Sequence, residues 1–139
     1  MKNNDVFYLQ SAYKESLIAF LNNNVPVGSV ITDKKSVLIK EKNKKSKEKN
    51  EFYHAELECL KKIEKNKLNS LFLYTTLIPC PMCSGTIFMY NLKKIYIGTR
   101  NNVILYNEIC EKLLKNRIKK YFLSKKCSKI LNSFCFIRR

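Results

Sequence analysis

The chain holds one histidine, three glycines, three prolines and no tryptophan in 139 residues. With no Gly/Ser-rich or Pro-rich stretch it has no candidate interdomain linker, and it carries no internal repeat. Residues 1–139 therefore read as one domain, long enough to bury a full core. No apolar run reaches transmembrane length, and Met1-Lys2-Asn3-Asn4-Asp5 lacks the apolar stretch of a signal peptide. The expectation is a protein that avoids the membrane and works in the cytoplasm. In that compartment six cysteines stay reduced, so a Cys-x-x-Cys pair reads as metal-binding or catalytic and not as a disulfide. Acidic residues are also scarce, 11 against 27 Lys+Arg, giving a net charge of +16. That charge favours polyphosphate partners, but a general bias toward Lys and Asn accounts for it equally well; it permits a nucleic-acid partner without establishing one. Hydrophobic residues at 45% and aromatics at 12% exclude a disordered basic tail.

The one histidine is well placed. His54-Ala55-Glu56 is followed downstream by Pro79-Cys80-Pro81-Met82-Cys83. An imidazole and two thiolates make three protein ligands for one zinc ion per chain, and the fourth tetrahedral position stays open for water, as in catalytic sites. Glu56 is then a carboxylate placed to carry protons to and from that water, not a ligand. This His-x-Glu…Pro-Cys-x-x-Cys arrangement is the signature of zinc deaminases acting on nucleobases. A redox reading of Cys80 and Cys83 would leave His54 and Glu56 without a role. The other cysteines, Cys59, Cys110, Cys127 and Cys135, lie in apolar, helix-like stretches and are expected to pack as small hydrophobes.

Hydrophobic periodicity organises the rest. Phe7, Leu9, Ala12, Tyr13, Leu17, Ile18 and Phe20 keep helical spacing over residues 6–21. Residues 25–31 read as a strand, 33–35 as a hairpin turn and 36–40 as the partner strand. Residues 41–50 are almost without apolar side chains and read as a solvated loop. A helix is expected over 54–65 with Leu57, Leu60 and Ile63 buried, a strand over 71–76, and a helix over 80–90 with Pro81 in its first turn. A strand over 94–98, a helix over 104–114, a last strand over 118–123 and a terminal helix over 126–136 complete the chain. Strands alternating with helices in this order predict a three-layer α/β/α sandwich with a central mixed, roughly five-stranded sheet. Both ligand groups fall at helix starts, where unsatisfied N–H groups favour thiolates at Cys80 and Cys83. There the first residue is not yet helical, so His54 and Glu56 can address one point although they are only two apart.

With these residues in place, the sequence resembles the cytidine-deaminase superfamily and, within it, the bacterial tRNA adenosine deaminases. Val25-Pro26-Val27-Gly28 resembles the family's V-P-V-G strand, and Asn43 falls on its asparagine that hydrogen-bonds the target base. Thr76-Leu77-Ile78-Pro79-Cys80-Pro81-Met82-Cys83-Ser84-Gly85 resembles its T-L-E-P-C-x-M-C-A-G, with Ile78 in place of Glu. Ile97-Gly98-Thr99-Arg100-Asn101 resembles its F-G-A-R-D, with Asn101 for the aspartate. Leu131, Phe134, Arg138 and Arg139 keep the pattern of its last helix. Ile87-Phe88-Met89-Tyr90 resembles instead the helix of fungal-type free cytosine deaminases.

The resemblance implies Glu56 as the catalytic acid/base, His54, Cys80 and Cys83 as zinc ligands, and Asn43, Val25, Pro26, Ala55, Asn101, Phe134, Arg138 and Arg139 as substrate-binding residues. It also implies a homodimer and a tRNA anticodon stem-loop as partner. The leading expectation is hydrolytic deamination of the wobble adenosine of tRNA to inosine. A free nucleobase deaminase acting on cytosine or guanine shares every zinc-site residue and is the alternative. A zinc-stabilised RNA-binding subunit without catalysis would have no use for Glu56.

Overall fold

The computed structural model describes residues 3–64, 69–119 and 123–137. The elements follow in the order α1 (Asn3–Leu21), β1 (Gly28–Thr32), β2 (Val37–Lys42), α2 (Lys45–Glu48), α3 (Ala55–Lys61), β3 (Phe72–Leu77), α4 (Pro81–Tyr90), β4 (Lys94–Thr99), α5 (Ile104–Leu114), β5 (Ile118–Lys119) and α6 (Ser124–Ile137). The five strands form one sheet in the order β2-β1-β3-β4-β5. β1 runs antiparallel to β2 and β3, whereas β3, β4 and β5 are mutually parallel. The predicted mixed five-stranded sheet is the one observed.

Side-chain alternation builds the three layers. Ile31, Leu73, Ile95 and Ile97 point to one face of the sheet, where they pack with Leu57 and Leu60 of α3, Ile87 of α4, and Cys110 and Leu114 of α5. Val30, Phe72, Tyr74 and Tyr96 point to the other, against Tyr8, Leu9 and Ala12 of α1. α6 joins α1 on that second face, packing along β4. The central strands β1, β3 and β4 are covered on both sides, which is why they read as almost continuous apolar runs.

Four expectations shift. β1 begins at Gly28, so Val25, Pro26 and Val27 form the entry to the strand and not its start. Residues 41–50 are not a solvated loop: Glu41 is a buried residue of β2, Asn43 is buried, and 45–48 form a helical turn. Here tertiary hydrogen bonds override a composition that looks disordered. The α3 helix stops at Lys61, earlier than its periodicity implies. Cys59, Cys110 and Cys127 are buried as expected, but Cys135 is exposed on α6.

Candidate active site

The site is assembled where α3 and α4 begin. His54 is the N-cap of α3 with an extended backbone (φ −80, ψ 144), and Cys80 is the N-cap of α4 (φ −65, ψ 168), with Pro81 in the first turn where no N–H is required. The extended geometry at His54 turns its imidazole away from the helix direction, while Glu56 lies inside the first turn. Cys83 follows Cys80 by three positions and faces the same way.

The His54 Nδ1 lies 3.6 Å from the Cys80 Sγ and 3.4 Å from the Cys83 Sγ. All three ligand atoms fall within 4.8 Å of one another. A tetrahedral zinc ion with ordinary Zn–N and Zn–S bonds requires N···S separations of about 3.6 Å. The donor set therefore fits zinc by element, number and spacing.

The electrostatics of the cluster point the same way. The hydrogen bond from the Cys83 thiol, with a second from His54, lowers the Cys80 pKa to about 4, against the opposing effect of burial. Cys83, as donor to that thiolate and more deeply buried, is pushed up. The hydrogen bond to Cys80 raises His54. Burial pushes Glu56 up to about 7. A divalent cation beside these groups would bring both thiols into the thiolate form and draw Glu56 back down. Glu56 is 3% exposed, and its carboxylate is the only one among the side chains that line the adjoining pocket.

That pocket, about 160 Å³, is lined by Val25, Val27, Asn43, Lys45, His54, Glu56, Leu77, Ile78, Cys80, Asn101 and Tyr106. It opens at the carboxyl ends of the parallel strands β3 and β4, the usual place for a ligand in such a sheet. Of the predicted substrate residues, Val25, Asn43 and Asn101 reach it. Pro26 and Ala55 are buried but not on its wall. Phe134 stacks edge-on against Phe20 of α1, with ring centroids 6.4 Å apart, and so helps to dock α6. Arg138 and Arg139 lie outside the described residues. Val27, Lys45, Leu77, Ile78 and Tyr106 line the pocket without being among the expected site residues; Lys45 and Tyr106 come from stretches with no motif to mark them.

Two asparagines define the polar character of the pocket. The Asn43 Oδ1 accepts the Lys45 backbone N–H at 3.0 Å. The Asn101 Oδ1 accepts the Val103 backbone N–H at 2.9 Å. A backbone N–H can only face an oxygen, so both amides are fixed in orientation, and neither Nδ2 has a partner among the described residues.

Comparison with known proteins places this arrangement. The model of the cytidine and deoxycytidylate deaminase zinc-binding region matches residues 2–99. A tRNA-specific adenosine deaminase of Rickettsia felis is 34% identical over 100 residues, covering 68% of this chain and 69% of the relative. One from Buchnera aphidicola is 28% identical over 142 residues, covering 95% and 94%. A cytosine deaminase of Candida albicans is 27% identical over 100 residues, covering 69% and 67%. Among solved structures, one from work on A-to-I editing by tRNA:A34 deaminases has a TM-score of 0.64 at 24% identity, covering 69% of this chain and 77% of that one. The guanine deaminase of Nitrosomonas europaea has a TM-score of 0.74 at 13% identity, covering 91% and 82%, a likeness of fold. The matched region contains His54, Glu56, Cys80 and Cys83, and the chain belongs to the cytidine and deoxycytidylate deaminase family of zinc-binding enzymes.

Proposed function

We propose that this protein hydrolyses the amino group of an adenosine in tRNA, at the wobble position of an anticodon, to give inosine and ammonia. The observation that carries the reading is the joining of a three-ligand zinc site and a buried Glu56 to a pocket whose two asparagines offer donors. Apart from the amino group that leaves, an adenine ring presents only acceptors. Guanine also presents N–H groups, for which each asparagine keeps only the second lone pair of an oxygen already bonded to a backbone N–H. This argues against guanine. The tRNA deaminases of Buchnera and Rickettsia supply the polymer context, and the net charge of +16 suits it.

A zinc ion held by His54, Cys80 and Cys83 would supply Lewis acidity toward a water at its open position. Glu56 takes one proton from that water and delivers it to the ring nitrogen next to the reacting carbon, then carries the second, from the oxygen now bonded to that carbon, to the departing amine. A C–O bond forms, the C–N bond breaks, and ammonia leaves. Val25, Val27, Leu77 and Ile78 exclude bulk water from the ring, and Asn43 fixes its orientation. An anticodon loop is unpaired, so turning its base out into the pocket costs little. Phe134, Arg138 and Arg139 at the chain's end are the proposed contacts to the stem-loop, and the whole chain is proposed to act as one domain in the cytoplasm, where tRNA is found. A homodimer fits this reading: α4 and α5 pack together and leave Phe88, Met89, Ile104 and Leu105 exposed, apolar surface that a second copy would cover.

The test is direct. Purified protein is incubated with an adenosine-bearing anticodon stem-loop and, separately, with cytosine, adenine and guanine, and inosine and ammonia are measured. Inosine in the stem-loop is expected. Ammonia from cytosine or guanine, with the RNA left unchanged, would replace this reading with the free-base one. Sedimentation gives the subunit number.

A further inference from the structure

The loop between β4 and α5 is short and exposed, yet it carries one wall of the pocket. Asn101 lies in it, and Tyr106 lies in the first turn of α5 just beyond it. The side chain that holds this loop is not itself on the pocket wall. Asn107 is 5% exposed. Its Oδ1 accepts the Asn101 backbone N–H, and its Nδ2 donates to the Asn101 carbonyl, both at 2.9 Å. One carboxamide thus engages both main-chain groups of one residue, as a neighbouring strand would.

Helix capping does not account for this arrangement. The start of α5 is already served by the Asn101 Oδ1, which accepts the Val103 N–H, and by the bond from the Tyr106 N–H to the Val103 carbonyl at 3.1 Å. Asn107 acts instead on the main chain of Asn101, and so on where its Nδ2 points. A second tie across the loop, Arg100 to Glu111 at 2.6 Å, joins two exposed side chains and is correspondingly weak. The requirement is for an amide: an aspartate would lack the donor for the Asn101 carbonyl, and a leucine of similar shape would lack both groups.

We infer that Asn107 is a positioning residue of this deaminase: it holds Asn101 and Tyr106 as one wall of the base pocket, and substrate affinity depends on it although it touches no substrate. The inference rests on the deaminase reading above. Asn107 is buried, but Asn101 is partly exposed and residues 102–105 are exposed. Water can therefore reach the main-chain groups of the loop that Asn107 releases, and breaking the bonds loosens the wall without unfolding the domain.

Steady-state kinetics on the zinc-loaded protein test it, with the stem-loop as substrate and Asn107→Leu, Asn107→Asp, Asn101→Ala and the corresponding double variants compared. Asn107→Asp keeps the side chain's size and the bond to the Asn101 N–H, so it carries the measurement should the leucine variant not fold. KM is expected to rise about tenfold in each Asn107 variant, with kcat changed less than about threefold and zinc content unchanged. The double variants are expected to be clearly less than additive, because the Asn101 donor can be lost only once. Unchanged KM, additive effects, or a loss of turnover that follows the loss of folded protein would each overturn the inference. Should the parent leave the stem-loop unchanged, the tRNA reading fails by itself, and the same cycle on the free base that the parent does deaminate decides the role of Asn107.

Discussion

Gly28 begins β1 directly against the backbone of α1: a Cβ at this position would lie 2.1 Å from the carbonyl oxygen of Ala12 and 2.6 Å from the Ser16 N. Neither is the movable end of a side chain. The same residue donates its N–H to the Thr76 Oγ1 at 3.1 Å, on the strand that leads to Cys80. The glycine therefore sets how closely the first helix approaches the sheet. Gly28→Ala is expected to cost about 3 kcal/mol or more, at the upper end for overpacked sites, since backbone must move on both sides. Urea unfolding measures it; a loss below about 1 kcal/mol would mean that α1 can shift freely.

A pH dependence follows from the buried end of the β1–β2 turn. The Lys34 ammonium pairs with the Asp5 carboxylate and donates to the Tyr74 and Tyr96 hydroxyls at 2.7 and 2.9 Å, while the Tyr74 hydroxyl donates to Asp5 at 2.6 Å. Burial alone would raise Asp5, but the bonds from Lys34 and Tyr74 outweigh it and hold its pKa below the ordinary 3.8. The Asp5 contribution is thus fully present above pH 3.8 and is lost as the pH falls through the lowered folded value. For Lys34, burial would lower the pKa, and the bonds to Asp5 and Tyr96 carry it above 10.5. Its contribution is full below that pH and is lost as the pH rises through the raised value. Asp5→Asn is expected to cost about 1–3 kcal/mol at pH 7. The gap between parent and variant should close in acid below pH 3.8. A gap that stays constant across the acid range would show that charge plays no part.

How much of this was legible beforehand depends on the range of the interactions. His54, Glu56, Cys80 and Cys83 could be read because a metal imposes spacing on residues close in sequence, and the helix starts that present them carry local signals such as Pro81. The three layers could be read because strands and helices alternate along the chain in the order of an α/β sandwich, whereas the two-sided burial of β1, β3 and β4 hides which residues face which layer. The α2 turn could not. It is held by Asn43 and by Asn24, whose Oδ1 accepts the Lys47 N–H at 2.9 Å across 23 positions. Nothing around Asn24 marks that reach. Lys34 in the aromatic cluster, Tyr106 on the pocket wall and Asn107 behind the loop are likewise fixed by partners distant in sequence, or by bonds that no composition encodes.

Zinc and proton transfer should separate on mutation. Glu56→Gln keeps the shape of the side chain and removes the proton carrier, so turnover should fall by at least ~10²-fold. Zinc, measured by elemental analysis, should stay at about one per chain, because His54, Cys80 and Cys83 are placed to hold it without that carboxylate. Cys83→Ser should instead lower zinc affinity and, since Cys83 is buried in the core beneath the site, stability as well. Loss of zinc in Glu56→Gln would make that carboxylate a ligand and undo the assigned mechanism.

The structural role of Asn43 and its proposed substrate role fall on different amide atoms. The Oδ1 accepts the Lys45 N–H and starts α2, and the Nδ2 has no partner among the described residues and is the donor proposed to meet the substrate ring. Asn43→Ala removes both and should abolish deamination while loosening α2, seen as faster amide hydrogen exchange over residues 45–48. Asn43→Asp keeps an acceptor for Lys45, so exchange there should stay near that of the parent. It replaces the donor with a carboxylate oxygen facing ring acceptors, so turnover should fall by at least about tenfold and KM should rise. Stem-loop binding driven by phosphate contacts should persist in both variants, with its salt dependence little changed. If Asn43→Asp retained near-parental turnover, the donor would not be what orients the base, and the pocket's preference for adenine over guanine would need another source.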